Sequence, residues 1–390
     1  MLLLGNPPPA SAQAQRSTRL AFLIAGFAGA AWAPIIPYVK LRCGLNDAHL
    51  GLLLLCLGMG SIVAMPVAGA LAGRFGCRWI ITIAVVLACC TLPVLASSSI
   101  LFLLAPALIL FGAGVGSIDC LVNVQAVIVE RACGKAMMSG FHGLFSVGGL
   151  LGATGVSALL GIGFSPLQAV GVGIGLIAVA AIAAIPGLLT GRTSSAEGAS
   201  FALPHGVVLA IGLMCFVVFL AEGAAIDWSA VFLAATRHMD VRYTGLGYAA
   251  FACTMTIGRL AGDWLVNRIA GRVLVVGGSL LAAGGMGLVA FIPFWPVTLA
   301  GYAIVGTGCA NIVPVLYSAI GRQHRMPEHL AVSAVTTLGY AGILLGPAVL
   351  GFIAGSLTLS VALAMVGGLL CCIAGVGLLL PRVLVNGVEG

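Results

Sequence analysis

Apolar stretches of about 20 residues, each long enough to cross a hydrocarbon core about 30 Å thick, follow one another along almost the whole chain. Twelve such blocks stand at 19–39, 48–72, 79–98, 100–127, 136–161, 166–188, 205–235, 243–266, 273–292, 296–319, 329–354 and 359–381. Between them there is too little polar material for a water-facing surface, because Asp, Glu, Lys and Arg make up 7% of the 390 residues. Soluble domains carry roughly 25%. Alternating strands of about ten residues, the mark of an outer-membrane barrel, are absent. The sequence therefore predicts an all-α membrane bundle of twelve helices.

The net charge of +7 is not a nucleic-acid footprint, since the 17 Lys and Arg are scattered singly over short loops. They are topology signals. Cytoplasmic loops hold the excess of basic residues. One side receives Arg16, Arg19, Arg74, Arg78, Arg131, Lys135, Arg192, Arg259, Arg268, Arg272, Arg322, Arg325 and Arg382. The other receives Lys40, Arg42, Arg237 and Arg242. The expectation is an even number of spans with both termini cytoplasmic. Met1 to Gln15 lacks the basic start of a signal peptide and reads as a short disordered tail with a kink at Pro7-Pro8-Pro9. Of the 12 cysteines only Cys43 falls in a non-cytoplasmic loop on this topology, and no pair has metal-ligand spacing, so they read as small packing residues. No metal or cofactor is expected.

The chain repeats itself at an offset of 194 residues. Gly29-Ala30-Ala31 matches Gly223-Ala224-Ala225, Arg74 and Arg78 match Arg268 and Arg272, and Arg131 matches Arg325. Gly148, Leu150, Leu151 and Gly152 match Gly342, Leu344, Leu345 and Gly346. The predicted organisation is a tail over 1–18, a six-helix bundle over 19–190, a polar linker over 191–204, a second six-helix bundle over 205–381 and a tail over 382–390. Two pseudo-symmetric bundles with a cytoplasmic central loop resemble the major facilitator superfamily. Gly69, Arg74, Gly76 and Arg78 are similar to its loop signature between helices 2 and 3, with Gly73 standing where the acid would be. Asn267 stands at the corresponding place of the second half.

Narrower strings resemble the YbjJ-type bacterial inner-membrane proteins: Ala31-Trp32-Ala33, Asn123-Val124, Val129-Glu130-Arg131, His142-Gly143, Glu222-Gly223, Asp227-Trp228, Gly258-Arg259, and Thr336-Thr337 leading to Gly346-Pro347. The run Gly116-x-x-Asp119-x-x-x-Asn123 is also similar to fucose-permease-like proton symporters, whose second acid, in helix 1, has no counterpart here. These resemblances imply a major facilitator fold and a secondary transporter in the inner membrane.

Acids inside membrane helices cost roughly 2.5 to 3.5 kcal/mol on insertion scales and are functional by default. Asp119, Glu222 and Asp227 are the three. In the fourth block Gly112, Gly116, Asp119 and Asn123 share one stripe. On that stripe either a neighbouring helix packs closely or a cavity opens in front of the acid. Asp119 and His142, counted from the cytoplasmic ends, fall at comparable depth and could share a proton. Glu222 and Asp227 are separated by five residues, a turn of about 500°, so on an unbroken helix they cannot face one point. A break at Gly223 would relax that limit.

The proton-coupling set is thus Asp119, His142 and Glu222. The solute set is Trp32, Asn123, Glu222, Asp227, Trp228, Asn311, Tyr317 and Tyr340. The cytoplasmic gate set is Arg74, Glu130, Arg131, Arg259, Asp263 and Arg268, with Glu328 a further acid near that face. Arg259 lies four residues before Asp263, on the same helical face, and reads mainly as a gate or local salt bridge.

No hydrolase, zinc-protease or nucleotide-binding motif occurs, so an enzyme is not expected. A non-transporting receptor or scaffold would not need acids at depth. The function expected is a monomeric secondary carrier of a small-molecule solute, driven by protons across the lipid bilayer, with its site at the midplane between the halves. The alternatives are an exporter of apolar compounds or lipids, and an uncoupled facilitator.

Overall fold

The computed structural model describes residues 8–45, 47–191, 203–240, 243–381 and 385. Most of the expected linker, the tail beyond 382 apart from residue 385, Pro7, and the counted Arg192, Arg242 and Arg382 lie outside the described residues. The first half comprises α1 (Ala12–Ala30), a 3-10 turn (Ala33–Ile35), α2 (Ile36–Cys43), α3 (Asp47–Phe75), α4 (Cys77–Ser97), α5 (Leu101–Cys133), α6 (Met138–Gly161) and α7 (Pro166–Ala184). The second comprises α8 (Gly206–Gly223), a π-helical segment (Ala224–Trp228), α9 (Ser229–Ala235), α10 (Leu246–Leu260), α11 (Gly262–Val266), α12 (Gly271–Phe291), α13 (Trp295–Cys309), α14 (Ile312–Ile320), α15 (Glu328–Ser356) and α16 (Leu359–Leu379).

Eleven helical stretches among the described residues are long and apolar enough to cross a membrane. The remaining expected block, 243–266, is the pair α10 and α11, interrupted at Ala261 and so too short in either piece. The tail is also shorter than expected. Helix α1 starts at Ala12 because Ser11 caps it, its Oγ accepting the Ala14 N–H at 3.1 Å.

The repeat offset carries over into the element bounds. Adding 194 to the ends of α4 gives the ends of α12, and adding it to the starts of α1 and α5 gives the starts of α8 and α13. Packing repeats as well. Gly112 of α5 lies against the Leu57 carbonyl of α3, and 194 residues on Gly306 of α13 lies against the Phe251 carbonyl of α10. A side chain at either glycine would collide with backbone, so each is a seam of close helix approach. Each half also ties down one helix end with an arginine. Arg42 donates to the Leu95, Ala96 and Ser98 carbonyls at 3.0, 2.6 and 2.9 Å. Arg237 donates to the Val289 and Ala290 carbonyls at 2.7 and 3.2 Å, at the positions equivalent to Leu95 and Ala96.

Two compact units result. The first takes in 1–134, 141–202 and the start of α15 over 326–333. The second takes in 135–140, 203–325 and 334–390. Within the first, His329 packs on Gly73, and Ser333 donates to the Met65 carbonyl at 2.9 Å. Within the second, Ser139 packs on Gly262, and the Gly140 N–H donates to Asp263 at 3.0 Å.

Candidate functional site

Helix breaks in the second unit place its polar groups. The first break is the π segment Ala224–Trp228, which begins just past Gly223, where a break would relax the limit on the two acids, and contains Asp227. A π turn closes its hydrogen bond over five residues rather than the four of an α-helix, which reduces the angular offset between the two acids. The second break is at Ala261, whereas α3, its counterpart, runs unbroken from Asp47 to Phe75. Here the Gly258 carbonyl, three residues before Ala261, accepts a hydrogen bond from Asn311 Nδ2 at 2.9 Å. Gly262 leaves the space that Asn311 Oδ1 fills. The third break, at Ala310 and Asn311, divides α13 from α14, while α5 is continuous. Pro314 lies just past this break and cannot donate an N–H to the Ala310 carbonyl four residues earlier.

Around these breaks stands a buried ion pair. Glu222 Oε1 lies 2.9 Å from Arg259 Nη2, and the two residues are 9% and 6% exposed. Glu222 is 16 residues into α8 and Arg259 is 13 residues into α10. At about 1.5 Å per residue each is roughly 20 to 24 Å from the end where its helix begins. Consecutive spans run in opposite directions, so the pair sits near half depth. Tyr248 and Cys309 lie within electrostatic reach of both charges, and Cys215 within reach of Glu222. Asn311 is 7% exposed, and its Oδ1 has no hydrogen-bond partner. The positions 194 residues earlier than Glu222, Arg259 and Asn311 are Ala28, Met65 and Ser117. The polar cluster is peculiar to the second half.

Arg259, expected at a cytoplasmic gate, is thus joined to a mid-depth acid from another helix. Asp263, its neighbour in the chain, accepts from the Gly140 N–H, and the interruption at Ala261 removes the continuous helical face on which the two were expected to meet.

The other candidates are distributed as follows. Asp119 is half-buried. The Gly112–Gly116 stripe next to it is closely packed rather than open, with Gly112 on Leu57 and Gly116 on Ser61. Asn123 is buried and donates to the Asp119 backbone carbonyl at 2.8 Å, leaving its Oδ1 without a partner. His142 is buried one turn into α6, edge-on to Phe22 with ring centroids 5.3 Å apart. Trp32 is buried 6.5 Å from Phe111, and its Nε1 has no partner. Asp227 is exposed, Trp228 is half-buried against Gly351, and Tyr340 is half-buried. Tyr317 Oη lies 2.7 Å from Thr336 Oγ1.

Of the gate residues, Arg131 pairs with Glu328 at 2.8 Å within the first unit. Glu130 is buried, and Asp263 half-buried. Arg74 and Arg268 are exposed and lean over Phe75 and Trp264, at 5.5 and 4.3 Å from the ring centres. A cleft of about 260 Å³ in the first unit, lined by Ile24, Val86, Ile118 and Ile182 among others, is wholly apolar. Val86 and Ile182 are exposed on it, as suits contact with acyl chains.

A sequence model of the Major Facilitator Superfamily matches residues 19–325. The chain is 51% identical to an uncharacterized MFS-type transporter of Yersinia pestis, over 92% of this chain and 94% of that one. It is 32% identical to membrane protein MosC of Rhizobium meliloti, over 88% of this chain and 84% of that one. In fold it is similar to the crystal structure of the E. coli fucose:proton symporter FucP, with a TM-score of 0.75 and 15% identity over 93% of this chain and 97% of that one.

Proposed function

The chain belongs to the major facilitator superfamily and is a multi-pass membrane transporter, not an enzyme, and from that premise we propose that it is a proton-coupled secondary carrier whose coupling group is Glu222. The observation that carries this reading is the buried pair of Glu222 with Arg259 at half depth, set among helix breaks. Broken helices at membrane depth are tolerated where they are buried in protein or line a water-filled cavity, and in secondary carriers they build solute and ion sites. The structural likeness to a fucose:proton symporter is a second support for coupling.

In this reading Glu222 takes up a proton from the outer side, the pair with Arg259 opens, and a small solute enters. Asn311, Asp227 and Trp228 are its further contacts. Asp119, Asn123 and His142 form the polar set of the first unit. Rocking of the two bundles gives alternating access, with Arg74, Glu130, Arg131, Asp263 and Arg268 acting on the cytoplasmic side. The protein works as a monomer in the bacterial inner membrane, both termini inside.

The test is a thermal-shift screen of solutes on the purified protein, followed by uptake into liposomes with and without an imposed pH gradient. Accumulation above equilibrium only with the gradient supports the reading. Equal uptake without it makes the protein an uncoupled facilitator.

A further inference from the structure

The two charges at the centre of the second unit differ in one respect that decides what the opened pair can bind. Glu222 can become neutral by taking a proton, whereas the Arg259 guanidinium keeps its charge at any accessible pH. A buried pair that loses one partner leaves the other charge uncompensated, at a cost of several kcal/mol. The pair therefore opens in one direction only: a neutral Glu222 carboxylic acid beside a guanidinium that still needs a negative partner. A cationic solute would instead need Glu222 ionised and Arg259 displaced without a counter-ion.

Among the described residues, the cation whose charge reaches Glu222 is Arg259. Arg259 of α10 is bonded to it, and Tyr248 of α10, Cys309 of α13 and Cys215 of its own helix lie within electrostatic reach, while Asp227 farther along is exposed and adds negative charge. Arg259 is the fixed positive charge of the cluster, and a guanidinium presents planar paired donors that match a carboxylate.

We propose that the transported solute is an organic monoanion, bound through a carboxylate or similar acidic group to Arg259 in place of Glu222, and that one proton carried on Glu222 crosses with each anion. This rests on the carrier reading above and adds the substrate class and stoichiometry. The charge balance closes. Before binding, carboxylate and guanidinium sum to zero. After binding, the neutral acid, the guanidinium and the anion also sum to zero, so the loaded site crosses the membrane without net charge.

The experiment uses purified full-length protein and propionate as the probe, with propionamide and ethylammonium as neutral and cationic controls of similar size. Melting temperature is followed between about pH 6 and pH 8, where propionate stays ionised. In wild type the half-saturating propionate concentration should rise about tenfold per pH unit, because one proton is bound with each anion. In Glu222→Gln, which mimics the protonated acid, it should be independent of pH, and in Arg259→Gln the propionate response should vanish. Should Glu222→Gln fail to fold, the wild-type pH series makes the same decision. Stabilisation by ethylammonium or propionamide to the same degree, or a propionate response that survives Arg259→Gln, overturns the anion assignment. Gradient-driven accumulation of a neutral solute by the wild type would overturn the assignment too, while leaving the carrier reading intact. Propionate binding of the predicted kind with no gradient-driven flux of any solute would overturn the carrier reading instead.

Discussion

Tyr317 and Thr336 are joined by a hydrogen bond of 2.7 Å between α14 and α15, and the residues 194 positions earlier are Asn123 and His142. The repeat thus assigns Asn123 and His142 to facing positions of α5 and α6, with Asp119 one turn earlier in α5. His142 is matched to Asn123 rather than to the acid. Asn123→Ala and His142→Ala, combined in a double-mutant cycle, should show a coupling energy, on the order of 0.6 kcal/mol for a membrane hydrogen bond. Asp119→Asn with His142→Ala should show less. Melting curves of the four variants of each cycle decide it.

The glycine seams predict a position-dependent cost. Gly112→Ala and Gly306→Ala each push a methyl into a facing backbone carbonyl, whereas Gly284 has nothing within 4 Å of the added carbon. Overpacking of this kind costs typically 1 to 3 kcal/mol. The two seam variants should melt well below wild type, and Gly284→Ala should melt at or slightly above it, since alanine is the better helix former.

Arg42 and Arg237 predict paired effects. Each holds the carbonyls at the end of α4 or α12, and partial burial lowers the Arg237 pKa from the usual arginine value. Hydrogen bonds to charged groups contribute about 1.5 to 3 kcal/mol. Arg42→Gln and Arg237→Gln should therefore lower the melting temperature by similar amounts. A large loss in one with none in the other would contradict the equivalence of the two halves at this place.

The ion pair predicts that two changes harm less than one. Removing one member of a buried pair is destabilising by about 3 to 5 kcal/mol because the other charge is stranded, while replacing both with apolar residues is often close to neutral. Glu222→Leu, which strands the permanent charge of Arg259, should fold poorly, and Arg259→Leu should lose less, because Glu222 can take up a proton. The double variant should recover most of the wild-type melting temperature, although it would be inactive.

The sequence made the fold legible for a physical reason. Hydropathy in lipid leaves each span little choice, and the arginines at equivalent turns exposed the duplication. The start of α1 was misplaced because the first apolar block opens at Arg19, yet the capping serine that sets the boundary is Ser11, eight residues earlier. The break at Ala310 has no such signal, since Pro314 lies beside it but Pro66, Pro93 and Pro106 lie inside unbroken helices. The partner of Arg259 was not legible either. Periodicity relates residues on one helix, so Asp263 four residues on was the natural choice, and nothing local links Arg259 to a glutamate 37 residues away. The break at Ala261 was hidden for the same reason, because it depends on Asn311 from another helix.

In the proposed mechanism Glu222 carries the coupled proton. The most direct measurement reconstitutes wild type and Glu222→Gln into liposomes and follows the first solute found to stabilise the purified protein, in two modes: exchange at equilibrium, and accumulation under an inward proton gradient. The prediction is that Glu222→Gln keeps exchange and loses accumulation above equilibrium, while wild type does both. Accumulation by Glu222→Gln to the wild-type level would contradict it.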